Sequence, residues 1–164
     1  MQRFGAISLV LLLSAGCFYS LSGGGGVPGH IRTVAVLPFE NETPNAELPL
    51  ELQLELRKAL QNRLGLREAP EGRATAVVRG TVIRYEPDVP VGYSADPARA
   101  NTARRRVQVA VDVVVLDQVT GRTLFERKGL SAEGEYAERA EASGRRQAIL
   151  RLVDDIIEGM QSQW

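Results

Sequence analysis

The chain has 164 residues, twenty Lys and Arg against twenty Asp and Glu, one histidine and one cysteine. A balanced charge excludes a global attraction to nucleic acid, although a local basic patch is compatible with it. No stretch after the N-terminal run approaches the roughly 20 apolar residues that a transmembrane helix needs.

Residues 1–16 read as a cleaved lipoprotein signal peptide. Met1 to Arg3 form a short positive start, Phe4 to Leu13 an apolar run, and Ser14-Ala15-Gly16 the small residues before Cys17. Small side chains suit a peptidase that cuts in front of a lipid-modified cysteine. The usual lipobox has Leu three residues before the cysteine; here Ser14 stands there and Leu13 one step further out. Cys17 has no possible intramolecular disulfide partner, which favours lipid attachment over an ordinary secretory signal. Two or more acyl chains make a stable anchor, and Phe18 in place of Asp is compatible with sorting to the outer membrane.

Residues 17–29 read as the lipidated cysteine and a Gly-rich tether, with Gly23 to Gly26 unbroken. Residues 30–164 read as one α+β domain. His30 to Phe39 is expected as a strand apolar on both faces, ending at Pro38, and Glu40 to Asn45 as turn material. A helix from about Pro49 to Leu64 follows, with Leu52, Leu56, Ala59, Leu60 and Leu64 on one face and Gly65 as its stop. Ala74 to Glu86 is the second strand, and strand-helix-strand implies a parallel pair. Pro87 to Ala103 reads as a long loop.

Arg104 to Asp117 has the clearest alternation, with Val107, Val109, Val111, Val113 and Val115 on one face. Asp117 to Gly121 reads as a hairpin turn with Gly121 left-handed, and about Arg122 to Gly134 as the returning strand. The last helix is expected from roughly Ala137 to Gln161, striped by Ile149, Leu152, Val153, Ile156, Ile157 and Met160, with Arg151 and Asp155 able to pair on its exposed side. The order β-α-β-β-β-α implies a four-stranded mixed β-sheet with two α-helices packed on one face. The apolar content of its other face fits either a covering partner or strand-end burial.

No catalytic or metal-binding constellation is recognisable, so neither an enzyme nor a cofactor is expected. His30 stands at a boundary with no paired acid in a known motif, and Gly23 to Gly26 lacks the Lys-Ser/Thr of a phosphate loop. Basic residues cluster at Arg104-Arg105-Arg106 and at Arg122, Arg127 and Lys128. Arg104 and Arg106 share a face, as alternate strand residues do. That pair fits a phosphate clamp and, equally, a charged edge that discourages aggregation.

With these residues in view, the chain resembles the LPS-assembly lipoprotein family, LptE. The resemblance rests on Cys17-Phe18-Tyr19-Ser20-Leu21, the stretch from His30 to Thr43, Arg79-Gly80-Thr81-Val82 with Tyr85, the Asp117 to Gly121 turn, and Glu133-Gly134-Glu135-Tyr136. Phe18 departs from a common glycine and Glu42 from a more usual basic residue. The resemblance implies a non-enzymatic outer-membrane lipoprotein on the periplasmic side, seated in the lumen of an LptD-type β-barrel and helping lipopolysaccharide reach the outer leaflet. Arg104, Arg106, Arg122, Arg127 and Lys128 are then the candidate contacts to lipopolysaccharide phosphates, with no nucleic-acid partner. The alternative is an outer-membrane lipoprotein that docks on another envelope machine, a cell-wall synthase or a secretion pore.

Overall fold

The computed structural model describes residues 27–90, 105–137 and 139–162. The expected signal segment, Cys17, most of the expected tether, residues 91–103 of the expected loop and Arg104 lie outside the described residues, while Pro87 to Pro90, expected in that loop, belong to a strand. Six strands form one mixed sheet: β1 (Thr33–Val36), β2 (Glu40–Asn41), β3 (Arg67–Glu68), β4 (Ala76–Pro90), β5 (Arg105–Asp117) and β6 (Thr123–Tyr136). Two helices complete the fold, α1 (Leu48–Leu64) and α2 (Glu141–Ser162). The sheet order is β3-β1-β4-β5-β6, with β2 also paired to β4.

β1 runs parallel to β4, as expected of two strands joined through a helix. It is shorter than its apolar run suggested. Leu37 still donates its N–H to the Val78 carbonyl at 3.0 Å, but Pro38 has no N–H to continue the ladder. The chain rejoins β4 at β2, where Glu40 pairs with Thr81. Between the two, Phe39 folds over Gly80, where a side chain would collide with its ring. β2 and β3 are additions to the expected four strands. Each is two charged or polar residues with no hydrophobic alternation to announce it, and each forms because its longer neighbour carries it into register.

β4, β5 and β6 form a long antiparallel meander. Between the Val111–Leu130 and Val113–Arg127 pairs, β6 holds one residue more than β5. This β-bulge is closed by Gly129 at φ 64, whose N–H donates to Asp112 Oδ1 at 2.7 Å. Gly121 is left-handed at φ 71 in the hairpin turn, as expected. Gly65, at φ 66, caps α1 and donates its N–H to the Gln61 carbonyl at 3.1 Å.

Both helices pack on one face. Leu48, Leu52, Leu56 and Leu60 of α1 and Ile149, Leu152, Val153, Ile156, Ile157 and Met160 of α2 share one core with Val107, Val109, Val111, Val113 and Val115 of β5, all buried. α2 begins at Glu141 and not at the expected Ala137, because Arg139 is left-handed at φ 69 and cannot belong to a right-handed helix. Arg151 does not pair with Asp155: it donates to the Glu133 carbonyl at 2.8 Å and ties α2 to β6.

On the other face, Ala35 and Val77 are buried by the chain itself, under Ala69 and Ala74, where the segment after β3 turns back. Strand-end burial therefore explains that part of the apolar pattern. Farther along, the open face is mixed, with Arg79, Thr81, Asp112 and Val114 in adjacent rows.

Candidate functional site

A groove of about 410 Å³ lies on this open face, between the β1–β2 crossing and the bulge of β6. Leu37, Pro38 and Val114 supply its apolar floor, and Arg79, Arg127 and Lys128 its positive rim, interleaved with Glu40, Asp112 and Glu126. Arg79 alternates with buried Val78, so the pleat of β4 places it on the open side. Its guanidinium meets Glu71 at 2.7 Å, and Lys128 lies 4.0 Å from Glu126. Arg127 has no ion pair or side-chain hydrogen bond with a described residue. The bulge matters here, since the extra residue pushes the Arg127-Lys128 segment out beside the groove.

The other expected contacts are not gathered there. Arg106 lies near the far end of β5, held by Glu133 at 2.8 Å and Glu135 at 3.9 Å. Arg122 follows the hairpin turn, eleven pairs along the strand on the opposite end; at about 3.3 Å per residue that separates the two by some 35 Å. Arg104 lies outside the described residues, so its pairing with Arg106 has no geometry to report. Arg79 was overlooked as a candidate, though its alternation with apolar neighbours on β4 was a legible signal.

His30 has an acid beside it that no sequence motif announces. Its Nε2 lies 2.7 Å from Asp117 Oδ2, across 87 residues of sequence. Burial would raise the Asp117 carboxyl. Hydrogen bonds from the Thr120 hydroxyl, His30 and the Val119 and Thr120 amides outweigh that and hold it well below the usual carboxylate range. The hydroxyl beside the pair, that of Thr120, donates to the same carboxylate at 2.5 Å. The pair fastens the start of β1 to the β5–β6 turn, which is a structural task.

At the opposite end, Arg145 of α2 joins both helices. It makes a bidentate contact with Glu51 of α1 at 2.9 and 3.0 Å, and reaches Glu47 at 3.3 Å and Glu141 at 3.7 Å. Tyr85 of β4 donates to Glu141. The hydrogen bonds to Glu51 hold the guanidinium above its ordinary range, and burial raises the Tyr85 hydroxyl. This cluster fastens three elements together. No group of three His, Cys, Asp or Glu suited to a metal occurs among the described residues.

The LptE model, whose description is lipopolysaccharide-assembly, matches residues 31–164. This chain belongs to the LptE family. The match begins at the first buried residue after His30 and runs through both helices, so the whole folded body carries the LptE pattern. Lipopolysaccharide assembly is therefore the functional class. Among solved structures, the fold is similar to a PelC dodecamer from Paraburkholderia phytofirmans, at 17% identity and a TM-score of 0.53, covering 84% of this chain and 93% of that one. It is also similar to the hypothetical protein CT253 from Chlamydia trachomatis, at 13% identity and a TM-score of 0.56, covering 80% and 96%. At such identities the likeness is one of fold. No curated protein matches this LptE-family chain.

Proposed function

We propose that this protein is an outer-membrane lipoprotein, held by acyl chains on Cys17, that joins an LptD-type β-barrel and assists delivery of lipopolysaccharide to the outer leaflet. The observation that carries the reading is the LptE match across residues 31–164. The mixed groove supports it, because its cations can meet lipopolysaccharide phosphates while Leu37 and Val114 meet the less polar parts of the same lipid. In this reading Arg127, Lys128 and Arg79 are the phosphate contacts nearest to hand. Arg106 would have to leave Glu133 and Glu135 to serve. The protein acts by binding and positioning.

The deciding experiment is affinity purification of the chain from detergent-solubilised membranes. Recovery of a large outer-membrane β-barrel together with lipopolysaccharide is the expected result. Recovery of a penicillin-binding protein or a secretion pore without that barrel would shift the assignment to a docking subunit of another envelope machine.

A further inference from the structure

The end of the sheet that receives the tether carries an uncompensated group of arginines. Arg32, Arg67, Arg73 and Arg122 are brought there by their backbone groups and by Thr75. Arg67 donates its N–H to the Arg32 carbonyl at 3.1 Å, Arg32 donates to Thr75 Oγ1 at 3.0 Å, and Gln118 donates to the Thr75 carbonyl at 2.9 Å. Asp117 donates to the Arg122 carbonyl at 2.8 Å, and Arg73 lies two residues before Thr75. All four arginines are exposed, and none has a side-chain partner among the described residues. The nearby acids are engaged: Glu68 by Arg57 at 3.2 Å, Glu71 by Arg79 at 2.7 Å, and buried Asp117 by His30. Val119, 64% exposed, stands at the tip of the adjoining turn. In a chain of zero formal net charge, this is a polarised end.

The same end is where the anchored segment enters. Val27 packs against the core, Ile31 donates its N–H to the Pro28 carbonyl at 2.8 Å, and His30 is fastened to Asp117. Cys17 precedes Val27 by ten residues, a length that spans at most about 35 Å when fully extended. A lipid on Cys17 therefore lies within about 35 Å of Val27, which is part of this end.

We propose that this arginine end docks on the anionic phospholipid surface of the leaflet that holds the anchor. The proposal rests on the lipoprotein reading and adds to it the orientation of the body. Guanidinium groups pair bidentately with headgroup phosphates, and an anionic surface attracts each of them within a Debye length, about 8 Å at physiological salt. Val119 is placed to enter the headgroup layer.

The test uses the full chain with Val119→Cys and an environment-sensitive dye on that thiol. In the lipidated protein Cys17 is blocked, so the dye reports position 119 alone. In vesicles rich in phosphatidylglycerol the emission should shift to the blue, but not in vesicles of phosphatidylcholine alone, and high salt should abolish the shift. Replacing Arg32, Arg67, Arg73 and Arg122 together by Gln should remove it while circular dichroism stays unchanged; Arg146→Gln, exposed on α2 at the Arg145 end, should leave it intact. Equal emission on both vesicle types, or a quadruple variant that responds like its parent, overturns the proposal. Dye uptake by the parent chain without Val119→Cys would show a free Cys17 thiol and defeat the anchor reading instead. Docking is then judged on the Cys17→Ser, Val119→Cys chain mixed with the same vesicles. There the four Gln substitutions should weaken binding to phosphatidylglycerol vesicles roughly tenfold or more, and no difference from the parent overturns the docking as well.

Discussion

Asp117 is the one charged side chain that is fully buried among the described residues, and its own turn makes that tolerable. Oδ1 accepts from the Val119 and Thr120 amides at 2.8 and 3.2 Å, and Oδ2 from Thr120 Oγ1 and His30 at 2.5 and 2.7 Å. A buried carboxylate with four donors is stabilised in its ionised form. In the unfolded chain the same carboxyl titrates near 4; in the fold, well below that. Below about pH 4 the unfolded state therefore binds the extra proton, and stability falls as the pH drops through that region. Asp117→Asn should flatten this acid limb and, at neutral pH, cost roughly 1.5–3 kcal/mol, the usual worth of hydrogen bonds to a charged group. Urea denaturation from pH 3 to 7 on both proteins checks it, and parallel acid limbs would contradict the assignment.

At the scale of elements, α2 is seated on β6 by a close backbone approach. A Cβ on Gly134 would overlap the Gly144 carbonyl, and one on Gly144 would stand 2.8 Å from the Tyr136 ring. Gly134→Ala must push helix and strand apart, at an overpacking cost of roughly 1–3 kcal/mol or more. Gly72→Ala, with open space around its Cβ, should be near neutral, so the difference in thermal midpoint between these variants measures the contact. The helices are joined to each other by Arg145, whose side chain is only 13% exposed. Arg145→Ala strands Glu47, Glu51 and Glu141 together without their cation. Because these acids are partly solvated, we expect a loss of about 2 kcal/mol, short of that for a fully buried pair. Chemical denaturation gives the value, and a neutral result would mean that the helices are held by their apolar faces alone.

The whole molecule is polarised along its strands. One end holds the Arg145 cluster and the helix N-termini; the other holds Val27, the His30–Asp117 fastening and four arginines with no side-chain partner among the described residues. The helix-covered face is apolar and closed, while the open face carries the groove. Function in the proposed reading depends on attachment, since one acyl chain binds a bilayer only marginally and several bind it stably. Cys17→Ser should leave the protein unprocessed or free in the periplasm, without incorporation of labelled palmitate and with less barrel recovered on purification. Palmitate failing to label the unaltered chain would remove the lipoprotein assignment.

The local sequence by itself determined the long elements, though not β2 and β3, which depend on their neighbours. The strict period of two from Val107 to Val115 and the leucine and isoleucine stripes of the helices dictated which faces are buried, because burying an apolar side chain is worth roughly 1.5–3 kcal/mol and no other register buries so many. Gly65 and Gly121 marked their turns, since both need a left-handed backbone. The resemblance to LptE was legible too, in motifs spread over the chain. Tertiary structure alone decided which charges find partners. Arg106 resembled a free phosphate clamp until the hairpin register set Glu133 and Glu135 beside it, and His30 lacked an acid until β1 came to lie one strand away from β5. The arginines at positions as distant as 32 and 122 share one end only because parallel β1 and antiparallel β5 bring their respective start and finish together. Periodicity is a property of neighbours in sequence, whereas ion pairing depends on a few ångströms set by strand order and register, and those are fixed only when the core closes.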